Sequence, residues 1–255
     1  MFTRMLIGLD GSPNADEALE QAVHLGQRFK SRLLVVHVKE PRSMLEERRA
    51  SDSGALLERA KERVQDAGLP VDVVQKHGDP DIELAALARD VDTVLVGRRG
   101  RSSPQDVVGK TVASLIRIAE RSVIVCASKP SPMKACAVAY DGRETAQRAL
   151  ELAARFASVI HSTVHVIHAT IDPSAGTMVV GEAEALLSLQ GIPFVTHLEP
   201  GTPGQAVARV IARTQCDALF AGAHVGGGPS RRSAVTVSHA EEILLHTDIP
   251  VVIEP

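Results

Sequence analysis

The chain has 255 residues, 44% apolar and 23% charged, with a net charge of −3, the proportions of an ordinary globular protein with room for one large domain or two of usual size. A pI of about 6.4 and an aromatic share of 2% argue against a nucleic-acid binder, which shows a basic stripe and stacking aromatics. Three cysteines without metal-type spacing (Cys126, Cys136 and Cys216), no membrane-length apolar run and no leader-like first segment set the expectation of a cytoplasmic protein that neither spans a membrane nor binds nucleic acid.

In chain order, MLIGL (5–9) reads as a short buried strand that ends at Asp10-Gly11-Ser12. Pro13 then takes the first helical position after Ser12. Ala15, Ala18, Leu19, Ala22, Val23 and Leu25 form one apolar face of that helix, with Asp16, Glu17, Glu20 and Gln21 off it. LLVVHV (33–38) and VDVVQ (71–75) read as further strands, and GDP (78–80) opens a helix carrying Leu84, Leu87 and Ala88. VDTVLVG (91–97) is a strand that ends in glycine, a new helix begins near Lys110–Thr111, and SVIVC (122–126) is the last strand of this half. The segment CASKPSPMKA (126–135), with its prolines and serines, reads as a linker.

After the linker the same landmarks return in the same order. KACAVAYDGRETAQRALELAA (134–154) repeats the first strand, Asp-Gly and helix; STVHVIHATIDP, IPFVTHLEPGTP, CDALFAGAHV and IPVVIEP follow as counterparts of the later strands. The chain is therefore a tandem duplication, with domains expected at 1–129 and 133–255. Strands alternating with helices predict, in each, an open parallel sheet with right-handed crossovers and ligand binding at the carboxyl ends of the strands, near Asp10, Val38 and Gly97.

The segment after the fourth strand carries the most chemistry. Gly97 and Gly100 let the backbone turn sharply and approach a ligand, Arg98, Arg99 and Arg101 add positive charge, and the helix beginning near Lys110 aims free N–H groups back at the loop. Such a combination suits phosphates, although a Gly-rich surface turn has the same signature. Gly109-Lys110-Thr111 is not a Walker A ending, because Pro104 stands where the motif needs glycine. His161, His165 and His168 lie close together in sequence, but a strand period of two puts His168 opposite His165, and no metal spacing is present.

These landmarks together (LIGLDGS, VVHV, GDP and the GxxG loop) resemble the universal stress proteins in their tandem form, over essentially the whole chain. The resemblance implies two similar α/β domains, each an open five-stranded parallel sheet with helices on both faces, of the adenine nucleotide α-hydrolase-like class. It further implies an ATP site, with or without Mg²⁺, in the first domain: Leu9, Asp10, Val38, Val96, Gly97, Arg99, Gly100, Arg101, Lys110, Thr111 and Val112. The family pattern is G-x-x-G, nine residues, then G-[ST]. Counting nine from Gly100 reaches Lys110 and Thr111, so lysine replaces the glycine; alternatively Gly109 is that glycine and the loop is one residue shorter. The second domain departs further, with Arg143 after Gly142, Val225 where a glycine belongs, Val237 before Ser238 and a longer loop. Its candidate site is Asp141, Ala169, Gly222, Gly226 and Ser238. No metal site and no catalytic residue are expected.

What this implies for function is an ATP-binding stress-response sensor or scaffold that works through nucleotide-dependent conformation or association. The alternatives are a slow ATPase or phosphotransfer enzyme, with Thr111, Ser102 and Ser103 as the hydroxyls concerned, and a nucleotide-free interaction module. The resemblance also implies that the two domains pack as an intramolecular pseudo-dimer through their last strands, Val123–Val125 and Val251–Ile253, and that chains pair as a homodimer.

Overall fold

The computed structural model describes residues 1–40, 50–100, 108–223 and 239–255, with the side chains of the second helix described from Ser53 onward. The chain divides into two compact units, Met1–Pro130 and Ser131–Pro255.

The first unit runs β1 (Arg4–Gly8), α1 (Pro13–Phe29), β2 (Arg32–Lys39), α2 (Ala50–Asp66), β3 (Val71–His77), α3 (Pro80–Ala88), β4 (Thr93–Gly97), α4 (Lys110–Ile118) and β5 (Ser122–Cys126). Its strands are parallel in the order β3-β2-β1-β4-β5, with Ile7 of β1 between Val35 and Leu95. The second unit runs β6 (Cys136–Ala139), α5 (Glu144–Ile160), β7 (Val164–Ala169), α6 (Pro173–Leu189), β8 (Phe194–Glu199), α7 (Pro203–Thr214), β9 (Ala218–Gly222), α8 (His239–His246) and β10 (Val251–Glu254). Its order, β8-β7-β6-β9-β10, is the same topology, again all parallel. The α/β class with parallel sheets expected from the repeat, and the five strands per unit that the resemblance implies, are those observed. Right-handed crossovers put the first two helices of each unit on one face and the last two on the other.

Burial follows from this order. The interior strands β1, β4, β6 and β9 are covered on both faces, so their apolar runs need no alternation. The edge strand β3 differs: Asp72, Gln75 and His77 are exposed, because nothing pairs with its outer side within the unit. In α1 the apolar face is buried as expected, but so is Gln21, at 1% exposure. This helix lies across β1, β4 and β5, so its covered arc is wider than its apolar stripe.

A carboxylate fastens the start of each central strand. Asp92 Oδ2 accepts from the Thr3 N–H (2.6 Å), the Thr3 hydroxyl (2.6 Å) and the Arg4 N–H (3.1 Å). Asp217 Oδ1 accepts from the Lys134 and Ala135 N–H groups at 2.8 and 2.7 Å. Burial pushes the Asp92 carboxyl up, but its hydrogen bonds more than offset this and hold it below the usual carboxylate range.

On the α7 face of the second unit, a chain of donors and acceptors has only one self-consistent protonation. The Arg213 guanidinium donates to His197 Nδ1 at 3.0 Å, so that nitrogen carries no proton. His197 is then the Nε2–H tautomer and donates to His165 Nδ1 at 2.9 Å, and the two rings stack at 17°. Both histidines are therefore neutral. Arg213 and Arg209 also pair with the buried Glu199. Burial lowers both imidazoles from the ordinary value of 6.5, and His165 and Arg213 lower His197 further. A depressed histidine favours the fold above the unfolded value and loses that contribution as pH falls through it. Urea melts between pH 7.5 and 5.5 should show stability falling below about pH 6.5. His197→Gln should flatten that slope.

Candidate functional site

In the first unit the strand order reverses between β1 and β4, which opens a crevice at their carboxyl ends. β1 leads directly into it. The Leu9 N–H donates to the Val36 carbonyl at 2.8 Å, and the Leu9 carbonyl accepts from His37 Nδ1 at 2.7 Å. His37 Nε2 is left to accept from the Ser53 hydroxyl at 3.2 Å, so His37 straps the end of β1 to β2 and α2. At the turn, Asp10 Oδ1 accepts from the Ser12 N–H at 2.8 Å. Ser12 is the N-cap of α1, where its hydroxyl accepts from the Ala15 N–H at 3.2 Å and lies 3.4 Å from the Arg99 carbonyl.

β4 enters the same crevice. Val96 is buried and Gly97 ends the strand. A Cβ on Gly97 would lie 2.6 Å from the backbone carbon and oxygen of Asn14. A Cβ on Gly100 would lie 2.8 Å from Asp10 Oδ2, so the Gly100 backbone and the Asp10 carboxylate face each other closely. The Gly109 N–H donates to the Arg98 carbonyl at 3.2 Å, which returns the chain to the end of β4 just as α4 begins. Gly109 is the N-cap and Lys110 the first helical residue, so the amides of Lys110, Thr111 and Val112 have no partner inside their helix. Lys110 is exposed, Thr111 half-buried and Val112 buried. Val38 lies near the end of β2, opposite Lys76 of β3. The structure thus brings together Leu9, Asp10, Val96, Gly97, Arg99 and Gly100. Arg101, and with it Ser102 and Ser103, lies outside the described residues.

The second unit repeats this frame with different side chains. His168 Nδ1 donates to the Tyr140 carbonyl at 2.8 Å, as His37 does to Leu9. A Cβ on Gly222 would lie 2.6 Å from the Thr145 backbone, as one on Gly97 would from Asn14. A cavity of about 120 Å³ opens here, and Asp141, Ala169 and Gly222 all line it. The change is at Arg143, which stands at the N-cap of α5 where Ser12 stands in α1. It makes no side-chain cap, and its guanidinium instead pairs with Asp141 Oδ2 at 3.4 Å. Gly226 and Ser238 lie outside the described residues. His161, grouped in sequence with the strand histidines, is the left-handed C-cap of α5, at φ 53°.

Sequence reasoning missed the two histidine straps and the Arg143–Asp141 pair. The signal for the straps was there: VVHV and VIHA put a histidine at the same place in both repeats, inside otherwise apolar strands. All three cysteines are buried, and burial pushes the Cys126 and Cys136 thiols up to about 12, which keeps both protonated and unreactive. No helix among the described residues is long and apolar enough to cross a membrane.

The profile of the Universal stress protein family matches residues 1–127 and again 133–255. The universal stress protein Slr1230 of Synechocystis sp. is 29% identical over 203 residues, covering 77% of this chain and 69% of that protein. YxiE of Bacillus subtilis is 27% identical over 128 residues, covering 42% of this chain and 86% of that protein. The crystal structure of a universal stress protein from Archaeoglobus fulgidus shares the fold, with a TM-score of 0.82 at 19% identity and coverage of 99% of this chain and 98% of that one.

The helix–strand approach gives the first prediction for this region. Gly97→Ala or Gly222→Ala drives a methyl into helix backbone, which has no rotamer to give, and each should lower unfolding free energy by about 3 kcal/mol in denaturant melts. Arg143→Ser should restore the missing cap and raise stability by about 1 kcal/mol.

Proposed function

The chain belongs to the universal stress protein family, and on that premise we propose that its first unit binds ATP and that the protein acts as a nucleotide-responsive sensor or scaffold. The observation that carries this reading is the Asp10 carboxylate facing the side-chain-free backbone of Gly100 at the end of β4, the strand end to which Gly109, the N-cap of α4, is hydrogen-bonded through the Arg98 carbonyl. Each meets a different part of a nucleotide. A carboxylate at a strand end accepts from ribose hydroxyls. Glycine backbone and a helix N-terminus receive phosphates, with Lys110 as a nearby point charge. The strand-end groups of Leu9 and Val38 suit the edge of a base.

In this reading nucleotide acts as a ligand that biases conformation or association, so its effect on the protein equals its differential affinity for the two states. Purified, dialysed protein should melt at a higher temperature with added ATP and release no steady ADP. Asp10→Ala and Gly100→Val should each abolish the shift, the first by removing the carboxylate and the second by filling the space before it. An unmoved melting curve in the unmutated protein overturns the reading.

A further inference from the structure

We propose that the cleft of the second unit selects nucleosides carrying a phosphate on the ribose, and that Arg143 sets that preference. This rests on the reading of the strand-end crevices as nucleotide sites.

The two crevices share their frame. Asp10 and Asp141 follow the first strand of each repeat, His37 and His168 strap it, and Gly97 and Gly222 close the fourth strand on the helix. They differ at the residue two beyond the acid. In the first unit it is Ser12, at 1% exposure, with its hydroxyl spent on the helix cap and the Arg99 carbonyl. The residue at that position in the first unit thus brings no positive charge to the acid before it. A carboxylate at the strand end accepts from free ribose hydroxyls and repels a phosphate attached to either of them.

In the second unit the guanidinium of Arg143 lies beside Asp141 and is half exposed, at 51%. The pair is neutral as a whole. Because the pair is open to water it is weakly held, and an incoming anion can take over the guanidinium. Arginine offers a planar fork of five N–H donors, the geometry that receives phosphate bidentately. A hydroxyl-reading acid becomes a phosphate-reading couple by this one change, as when dinucleotide sites accept a ribose phosphate through a nearby arginine. The cleft beside the pair suits a flat base: Ala139, Ala169, Ala206, Val207 and Ile243 form small apolar walls, and Asp141 stands on its lining.

A second observation runs the same way. Arginine is a poor choice for the start of α5. It supplies no acceptor for the first-turn amides and puts a cation at the positive end of the helix. Stability alone favours serine there, as in α1, so the arginine answers to something other than the fold.

The test uses the full chain carrying Gly100→Val, which closes the first crevice; the added side chain meets the mobile end of Asp10 rather than backbone. Adenosine, 5′-AMP, 2′-AMP and 3′-AMP are titrated by calorimetry. The expected result is that 2′-AMP or 3′-AMP binds at least about tenfold tighter than both adenosine and 5′-AMP. Adding Arg143→Ser should abolish or reverse that order, with adenosine and 5′-AMP then binding at least as well as 2′-AMP and 3′-AMP, while the protein becomes more stable, a combination that a merely structural arginine does not produce. Equal affinities before the second change, a preference that survives it, or no binding of any of the four overturns the proposal. The ATP melting shift of the unmutated chain is read separately, so these failures leave the first-unit reading standing.

Discussion

In each unit the first helix of the repeat begins so close to the end of the fourth strand that only a hydrogen fits on the strand's last α-carbon. Gly97 meets the backbone of Asn14, and Gly222 meets that of Thr145. Much else in the crevice follows from this contact. It sets where α1 and α5 start, and so where the acid of the preceding turn sits. It also brings the chain leaving β4 past Asp10, where Gly100 passes the carboxylate without a side chain between them. A larger residue at Gly97 would hit backbone, which shifts only with the whole helix; one at Gly100 would hit a carboxylate that can turn away. The first glycine is therefore a demand of packing, and the second marks space that a ligand can use.

The unequal halves come down to how each helix is started. Ser12 caps α1 and lies beside the Arg99 carbonyl, so one hydroxyl joins the helix to the strand-end turn. Arg143 has no acceptor to offer and reaches back to Asp141 instead. The second unit thus places a cation beside its acid and leaves the amides of α5 without a side-chain cap. One substitution changes the charge of the crevice and the stability of the helix in opposite senses.

Much of the fold was legible because duplication writes it twice. Short β-branched runs, Asp-Gly turns and helical stripes recur in one order, and alternation of strand and helix leaves few topologies. The placement of Asp10 and Gly97 at strand ends was legible from the apolar runs before them, and Gly100 from the glycine spacing of the loop that follows. Gln21 was not, because the covered arc of α1 depends on how many strands lie beneath it. His37 and His168 read as interruptions of apolar strands; that each reaches a carbonyl on the neighbouring strand depends on face and distance, which periodicity does not carry. Arg143 was visible as a departure, but its pairing with Asp141 is a matter of rotamer. His165 and His197 are 32 residues apart, on adjacent strands, and only register brings them into one chain of hydrogen bonds.

The straps also show how two copies keep one frame with different backing. In the first unit His37 spends Nδ1 on the Leu9 carbonyl and takes a hydrogen bond at Nε2 from Ser53, the fourth residue of α2. In the second unit the fourth residue of α6 is Gly176. A Cβ there would lie 2.7 Å from Thr170 and 3.4 Å from His168. The helix has come close enough to replace a side-chain hydrogen bond with direct packing. Both solutions hold the imidazole toward the strand end, and so both keep the carbonyl after the first strand occupied. In both crevices one of that carbonyl's two acceptor positions is therefore taken. On the reading proposed above, recognition rests on the acid of the turn, the glycine backbone and the N-terminus of the last helix in the first unit, and on the Asp141–Arg143 couple in the second.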